Sequence, residues 1–153
     1  MTPKNIVTRT MQTYWRMSRG LMLGVRSALI DADGRYLLIR PCGSTNWELP
    51  GGIVESGESV EMALRRLLAA QSRIEIGEAP KLYGMYAKMQ KSESYHIALF
   101  VIRSWRQTAP PATIDLDVKT SFFAPATLPA STEPATLNRI SEIQGLTAQS
   151  LDW

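Results

Sequence analysis

The stretch that most constrains the fold runs from Trp47 to Arg66, where two glycine signals interrupt apolar sequence just ahead of a helical pattern. Gly51-Gly52 and Gly57 let the backbone turn through conformations closed to most residues. Ser59 then offers an N-cap hydroxyl, although the capping-box position three residues later holds Met62 instead of Glu or Gln. Val60, Ala63, Leu64, Leu67, Leu68 and Ile74 repeat at the helical period, which predicts a helix over 59–73. Glu61 and Arg65 add an i,i+4 pair on its exposed side. A strand must therefore pass through a glycine loop directly into a helix.

Around this unit the pattern is mostly strand. Residues 20–30 and 35–40 read as strands joined by the turn Asp31-Ala32-Asp33-Gly34, and the apolar run at Tyr36–Ile39 suits a strand buried on both faces. A short strand is expected at 47–49. Segments 81–89 and 95–103 read as a hairpin around Lys91-Ser92-Glu93-Ser94, with loop at 106–113 and a last strand at 114–123. Pro134 at a permitted first-turn position and Gly145 as a stop bracket a closing helix at 134–144. The expected architecture is α/β, a mixed sheet sandwiched between helices. Residues 20–153 form one domain behind a basic segment at 1–19.

The spacing from Gly52 to Glu58 to Arg66, with Leu68 and Ile74 in the apolar places, resembles the Nudix box, G-x5-E-x7-R-E-U-x-E-E-x-G-U with U apolar. Trp47-Glu48-Leu49-Pro50-Gly51-Gly52 is similar to the family's W-x-L-P-G-G run. Gly51 through Glu58 is similar to its G-G-x-V-E-x-G-E run. Segments Tyr95–Val101 and Phe122–Pro129 extend the likeness, which covers about residues 20–144. It implies the Nudix fold and a MutT-like pyrophosphohydrolase ancestry. Its partner would be a nucleotide or a nucleoside-diphosphate-linked small molecule, and the resemblance leaves room for a homodimer.

After Arg66 the likeness breaks down. Where the family carries glutamates this chain has Leu67, Ala70 and Gln71, and Arg73 stands at the last glycine. Members of the family cleave a pyrophosphate with Mg²⁺ or Mn²⁺, hard cations that take carboxylate oxygens, which a helix presents on one face at spacings of three and four. If the metal supplied about 5 kcal/mol, losing it would slow turnover on the order of 10³- to 10⁴-fold. Three readings follow. In the first, hydrolysis is weak or lost and a nucleotide is still bound. In the second, Glu48, Glu55 and Glu58 hold Mg²⁺ or Mn²⁺ in a rearranged site. In the third, the apolar Leu67/Ala70 face docks against a partner chain.

The resemblance gives the catalytic positions to Glu58 and Arg66. Arg66 has lost the glutamate it would orient, so an ion pair with Glu58 or Glu55 is expected. Arg40, Trp47, Gly51 and Gly52 are the substrate-binding candidates. Arg26 is a further phosphate candidate, and Asp115, Asp117 and Glu133 stay outside the site. His96, the only histidine, is expected to be a hydrogen-bonded structural residue.

The single cysteine, Cys42, excludes an internal disulfide and fits a reducing, cytoplasmic setting. No apolar run is long enough to span a membrane. The formal charge of +3 is too small to signal nucleic-acid binding, though Lys4, Arg9, Arg16, Arg19 and Arg26 all precede the first acid, Asp31. This leader lacks the apolar region and cleavage signature of a targeting peptide and reads as a solvated surface segment.

Overall fold

A computed structural model describes residues 21–90, 93–110 and 118–153. The basic segment 1–19, Lys91 and Ser92 of the expected turn, and Asp115 and Asp117 lie outside them.

Strand β1 (Met22–Leu29) is the centre of the sheet. It pairs in parallel with β6 (Glu93–Ile102) from Met22↔Tyr95 to Leu29↔Ile102, and antiparallel with β3 (Gly51–Ile53). Strand β5 (Lys81–Gln90) adds antiparallel to β6, completing a mixed sheet in the order β3-β1-β6-β5. Strand β2 (Tyr36–Arg40) pairs with β8 (Lys119–Phe123), and β4 (Ile74–Ile76) with β7 (Trp105–Gln107). Helix α1 (Val60–Ser72) and helix α2 (Pro134–Ile143) close the layers.

The period-two alternation of β1 sends its side chains into two separate cores. Val25 and Leu29 join Leu64, Leu68, Ala98 and Phe100 beneath α1. Ala28 joins Leu38, Tyr86, Leu99 and Ile140 against α2. This is the expected α/β sandwich. Tyr36 through Ile39 are buried throughout, as a two-faced strand requires.

Ser59 caps α1, its Oγ accepting the Met62 N–H at 3.1 Å. The helix ends at Arg73, whose backbone is left-handed (φ 55°, ψ 39°) and donates its N–H to the Leu68 and Ala69 carbonyls. Three expectations need correction. Residues 47–49 form no strand; Trp47 and Glu48 make only isolated bridges to Thr132 and Ile39. The strand lies instead at Gly51–Ile53, where the glycines had pointed to a tight turn. The pair β4–β7 was not expected, because three-residue strands leave no period to detect and residues 106–107 had read as loop.

Candidate functional site

The glycine loop and α1 meet at the β3 edge of the sheet. Gly51 sits at φ 153°, pressed onto β1; a Cβ there would strike the Val25 carbonyl and lie 2.9 Å from the Arg26 Cα. Only glycine fits so close an approach. Beside it, a Cβ on Gly52 would be 3.0 Å from Cδ2 of Leu67, so the leucine packs directly over that glycine.

Gln71 completes the arrangement. Its Oε1 accepts the Gly51 N–H at 3.1 Å, and its Nε2 donates to the Gly51 carbonyl at 2.9 Å. Both polar ends of the amide are thus committed to one residue of β3, bridging its two flanking peptide groups. A carboxylate at position 71 could accept from that N–H but could not donate to the carbonyl. In the sequence Gln71 stands out only as a residue at a glutamate position of the family. Its partner lies twenty residues away on another element, and no local signal reports it.

Glu58 and Arg66 form the tightest ion pair of the loop. Arg66 Nε donates to Glu58 Oε1 at 2.6 Å and its NH2 to Oε2 at 3.0 Å, while the same NH2 reaches the Ile53 carbonyl at 3.2 Å. Glu55 joins at 3.7 Å, and its backbone N–H donates to Glu58 Oε2. The bond from Arg66 and then that N–H hold the Glu58 carboxyl down to about 2. The expected pairing of Arg66 with Glu58 and Glu55 is present.

Glu48 belongs to a different set. Its Oε1 accepts from Arg26 NH1 at 3.0 Å, and the same NH1 donates to the Leu49 carbonyl at 2.7 Å. Arg26, a phosphate candidate in the sequence, is here the partner of Glu48. The three carboxylates of the rearranged metal reading therefore stand in two arginine-bound sets. Among the described residues, no three His, Cys, Asp or Glu side chains are grouped to hold a metal ion. Leu67 and Ala70 offer no donor, and the Gln71 amide is spent on Gly51, so the residues present do not fit a divalent cation.

Arg40 and Trp47 come together next to this loop, the guanidinium lying 5.4 Å from the indole centroid. Trp47 also meets Phe123 edge-on at 5.0 Å. Its backbone is laced to the late segment, with Trp47 N–H bonded to the Ser131 carbonyl and Glu133 N–H to the Trp47 carbonyl. Glu133 accepts from Thr136 Oγ1 at 3.4 Å, and that hydroxyl accepts the Leu49 N–H. His96 departs from expectation, since its Nδ1 is buried without a hydrogen-bond partner among the described residues.

A family model for the NUDIX domain matches residues 20–140. The chain belongs to the Nudix family. A relative from Streptomyces ambofaciens, a MutT-like protein, is 34% identical over 64 residues, which span 42% of this chain and 41% of that protein. The Nudix fold here is similar to that of a MutT NUDIX hydrolase from Burkholderia pseudomallei. The TM-score is 0.68 at 23% identity, over 81% of this chain and 98% of that one. It is also similar to a UDP-X diphosphatase, with TM-score 0.62 and 16% identity over 93% of this chain and 73% of the other. At such identities the likeness shows the fold alone. Among the described residues of this Nudix domain, no helix is long and apolar enough to cross a membrane.

Proposed function

We propose that this Nudix-family chain binds a nucleotide or a nucleoside-diphosphate-linked small molecule and hydrolyses it weakly or not at all. The observation that carries this reading is the pair of contacts at the glycines. Leu67 covers Gly52, and Gln71 bonds both polar groups of Gly51. An apolar side chain and a neutral amide take the place where the family's glutamates would bring oxygen ligands to Mg²⁺ or Mn²⁺. With the loop held by protein groups, its shape does not depend on a cation. The Arg40–Trp47 stack and the half-exposed Arg66 offer a cation and an aromatic face to such a ligand. The UDP-X diphosphatase fold is compatible with a ligand of this class.

Phosphorus NMR of a nucleotide panel, including ADP-ribose and nucleoside triphosphates, tests the reading. Samples with Mg²⁺ or Mn²⁺ should yield little or no product beyond that of a Glu58→Gln control. In metal-free samples the signals of one ligand should shift or broaden. Efficient metal-dependent turnover that disappears in the Glu58→Gln protein would overturn the proposal and favour the site built on Glu48, Glu55 and Glu58.

A further inference from the structure

The glycine loop lies beside the first residues of β1, since the Val54 N–H donates to the Leu23 carbonyl. A cleft of about 330 Å³ opens at the opposite end of the sheet, where β1 and β6 finish at Leu29 and Ile102. That volume lies within the range of small-molecule sites. One wall is the β4–β5 connection at Glu78–Pro80, and the other is Arg103–Ser104. Both are tied in place. Arg65 bonds the Ile76 and Glu78 carbonyls at 2.7 and 3.3 Å, and Trp105 Nε1 donates to the Ile30 carbonyl at 3.0 Å.

Carboxylates match some of the molecule's cations and leave others open, and this cleft gathers two of the open ones. Arg26, Arg35, Arg65, Arg66, Arg106 and Arg139 all have carboxylate partners. Lys81 and Arg103, which both line the cleft, have none within 4.0 Å among the described residues. Beyond Ser104 the surface continues into a second hollow, but its Arg106 is neutralised by Glu75 at 2.6 Å. Across these two adjoining hollows, the unmatched positive charge is at the Lys81/Arg103 end. Glu78 on the same lining offsets part of it, so the balance favours one negative charge over a polyphosphate. Ile76, Pro80 and Val101 supply an apolar wall.

We propose that this cleft binds a small monocarboxylate, its charge between Lys81 and Arg103 and its hydrocarbon part against Ile76, Pro80 and Val101. Guanidinium and ammonium donors form charge-assisted bonds to carboxylate oxygens, and the apolar wall adds affinity for a short chain. This site is separate from the glycine loop and does not depend on the nucleotide reading.

Amide-resolved NMR titrations of the full chain with sodium hexanoate decide it, with sodium chloride, inorganic phosphate and 1-hexanol as comparison probes. Hexanoate should produce saturable shifts confined to residues 76–81 and 101–104, with none at Gly51, Gly52 or Glu58. Phosphate and hexanol should bind about tenfold more weakly or not at all, because each lacks one half of the recognition. Arg103→Gln and Lys81→Gln, at exposed positions, should keep the wild-type spectrum elsewhere and weaken hexanoate by about tenfold each. Absence of saturable shifts, unchanged affinity in both folded variants, or equal binding of phosphate would overturn the proposal. So would hexanoate shifts centred on the glycine loop.

Discussion

At the scale of the residue, the site is defined by what its side chains have been committed to. Glu58 illustrates this through its protonation. Its carboxyl is held at about 2 against an ordinary value of 4.5 by Arg66 and the Glu55 N–H. A depressed carboxyl stabilises the folded chain above its unfolded value, and that contribution is lost as the pH falls through the folded one. Glu58→Gln should therefore lower the thermal midpoint most at pH above about 5. The gap to wild type should narrow below 4.5 and close near 2. A gap that persists unchanged at pH 2 would count against the ion pair. Gln71→Glu offers a second measurement. The substitution keeps an acceptor for the Gly51 N–H but strips the Gly51 carbonyl of its donor, which should cost about 1–3 kcal/mol in denaturant unfolding. Equal stability would mean that the amide contacts are not held in solution. The resemblance to the Nudix box showed which carboxylates were missing, and it pointed to an Arg66 pairing with Glu58 or Glu55, both of which are present. The two-point bond to Gly51 could not be read there, because an amide twenty residues away on the next element carries no periodic or local mark of its partner.

At the scale of the element, α1 kept its form while its chemistry changed. Ser59 starts it as the sequence indicates, and it ends in a left-handed residue, the conformation that a glycine at position 73 would adopt without strain. Arginine occupies that conformation at a steric cost of about 1–2 kcal/mol. Arg73→Gly should consequently raise stability, by up to about 1 kcal/mol after the glycine's greater chain entropy is counted. The urea midpoint would check it, and a lower midpoint would show that the arginine side chain contributes more than the backbone loses. Long elements were legible because they repeat: α1, α2 and the β5–β6 hairpin fell within a few residues of expectation. Strands β4 and β7 were not, since Ile74-Glu75-Ile76 reads equally well as the fading end of a helix. Gly51–Ile53 looked like a turn because glycine's freedom is visible in sequence, whereas the close packing against β1 that demands glycine there is not.

At the scale of the whole molecule, the second face of the sheet is fastened by a buried polar network. Arg139 and Glu142 of α2 have side chains only 2% and 3% exposed and pair at 2.8 Å. Glu142 also accepts the Tyr86 hydroxyl at 2.9 Å and the Ser150 N–H at 3.0 Å. Arg139 donates to the Asp152 carbonyl at 2.7 Å and lies 4.2 Å from the Tyr86 ring centroid. Removing one member strands the others away from water. Arg139→Leu should destabilise the fold by about 3–5 kcal/mol, measured by denaturant unfolding. A loss under about 1 kcal/mol would mean that water reaches Glu142 in solution. Legibility fails here for a different reason than in the short strands. Arg139 and Glu142 look like an ordinary i,i+3 surface pair until the residues at 150–153 fold over them.

That fold-over has an effect on association. Strand β5 is one of the two outer strands of the sheet, and such an edge usually leaves a row of N–H and C=O groups free to template another chain. At Ala87 this row is already taken: its N–H donates to the Leu151 carbonyl at 2.8 Å, and its carbonyl accepts the Trp153 N–H at 2.9 Å. A foreign strand adding here would first have to evict residues 151–153, and with them the Trp153 ring packed edge-on to Tyr86 at 5.6 Å. Residues 151–153 thus cover this point of the edge with the chain's own backbone.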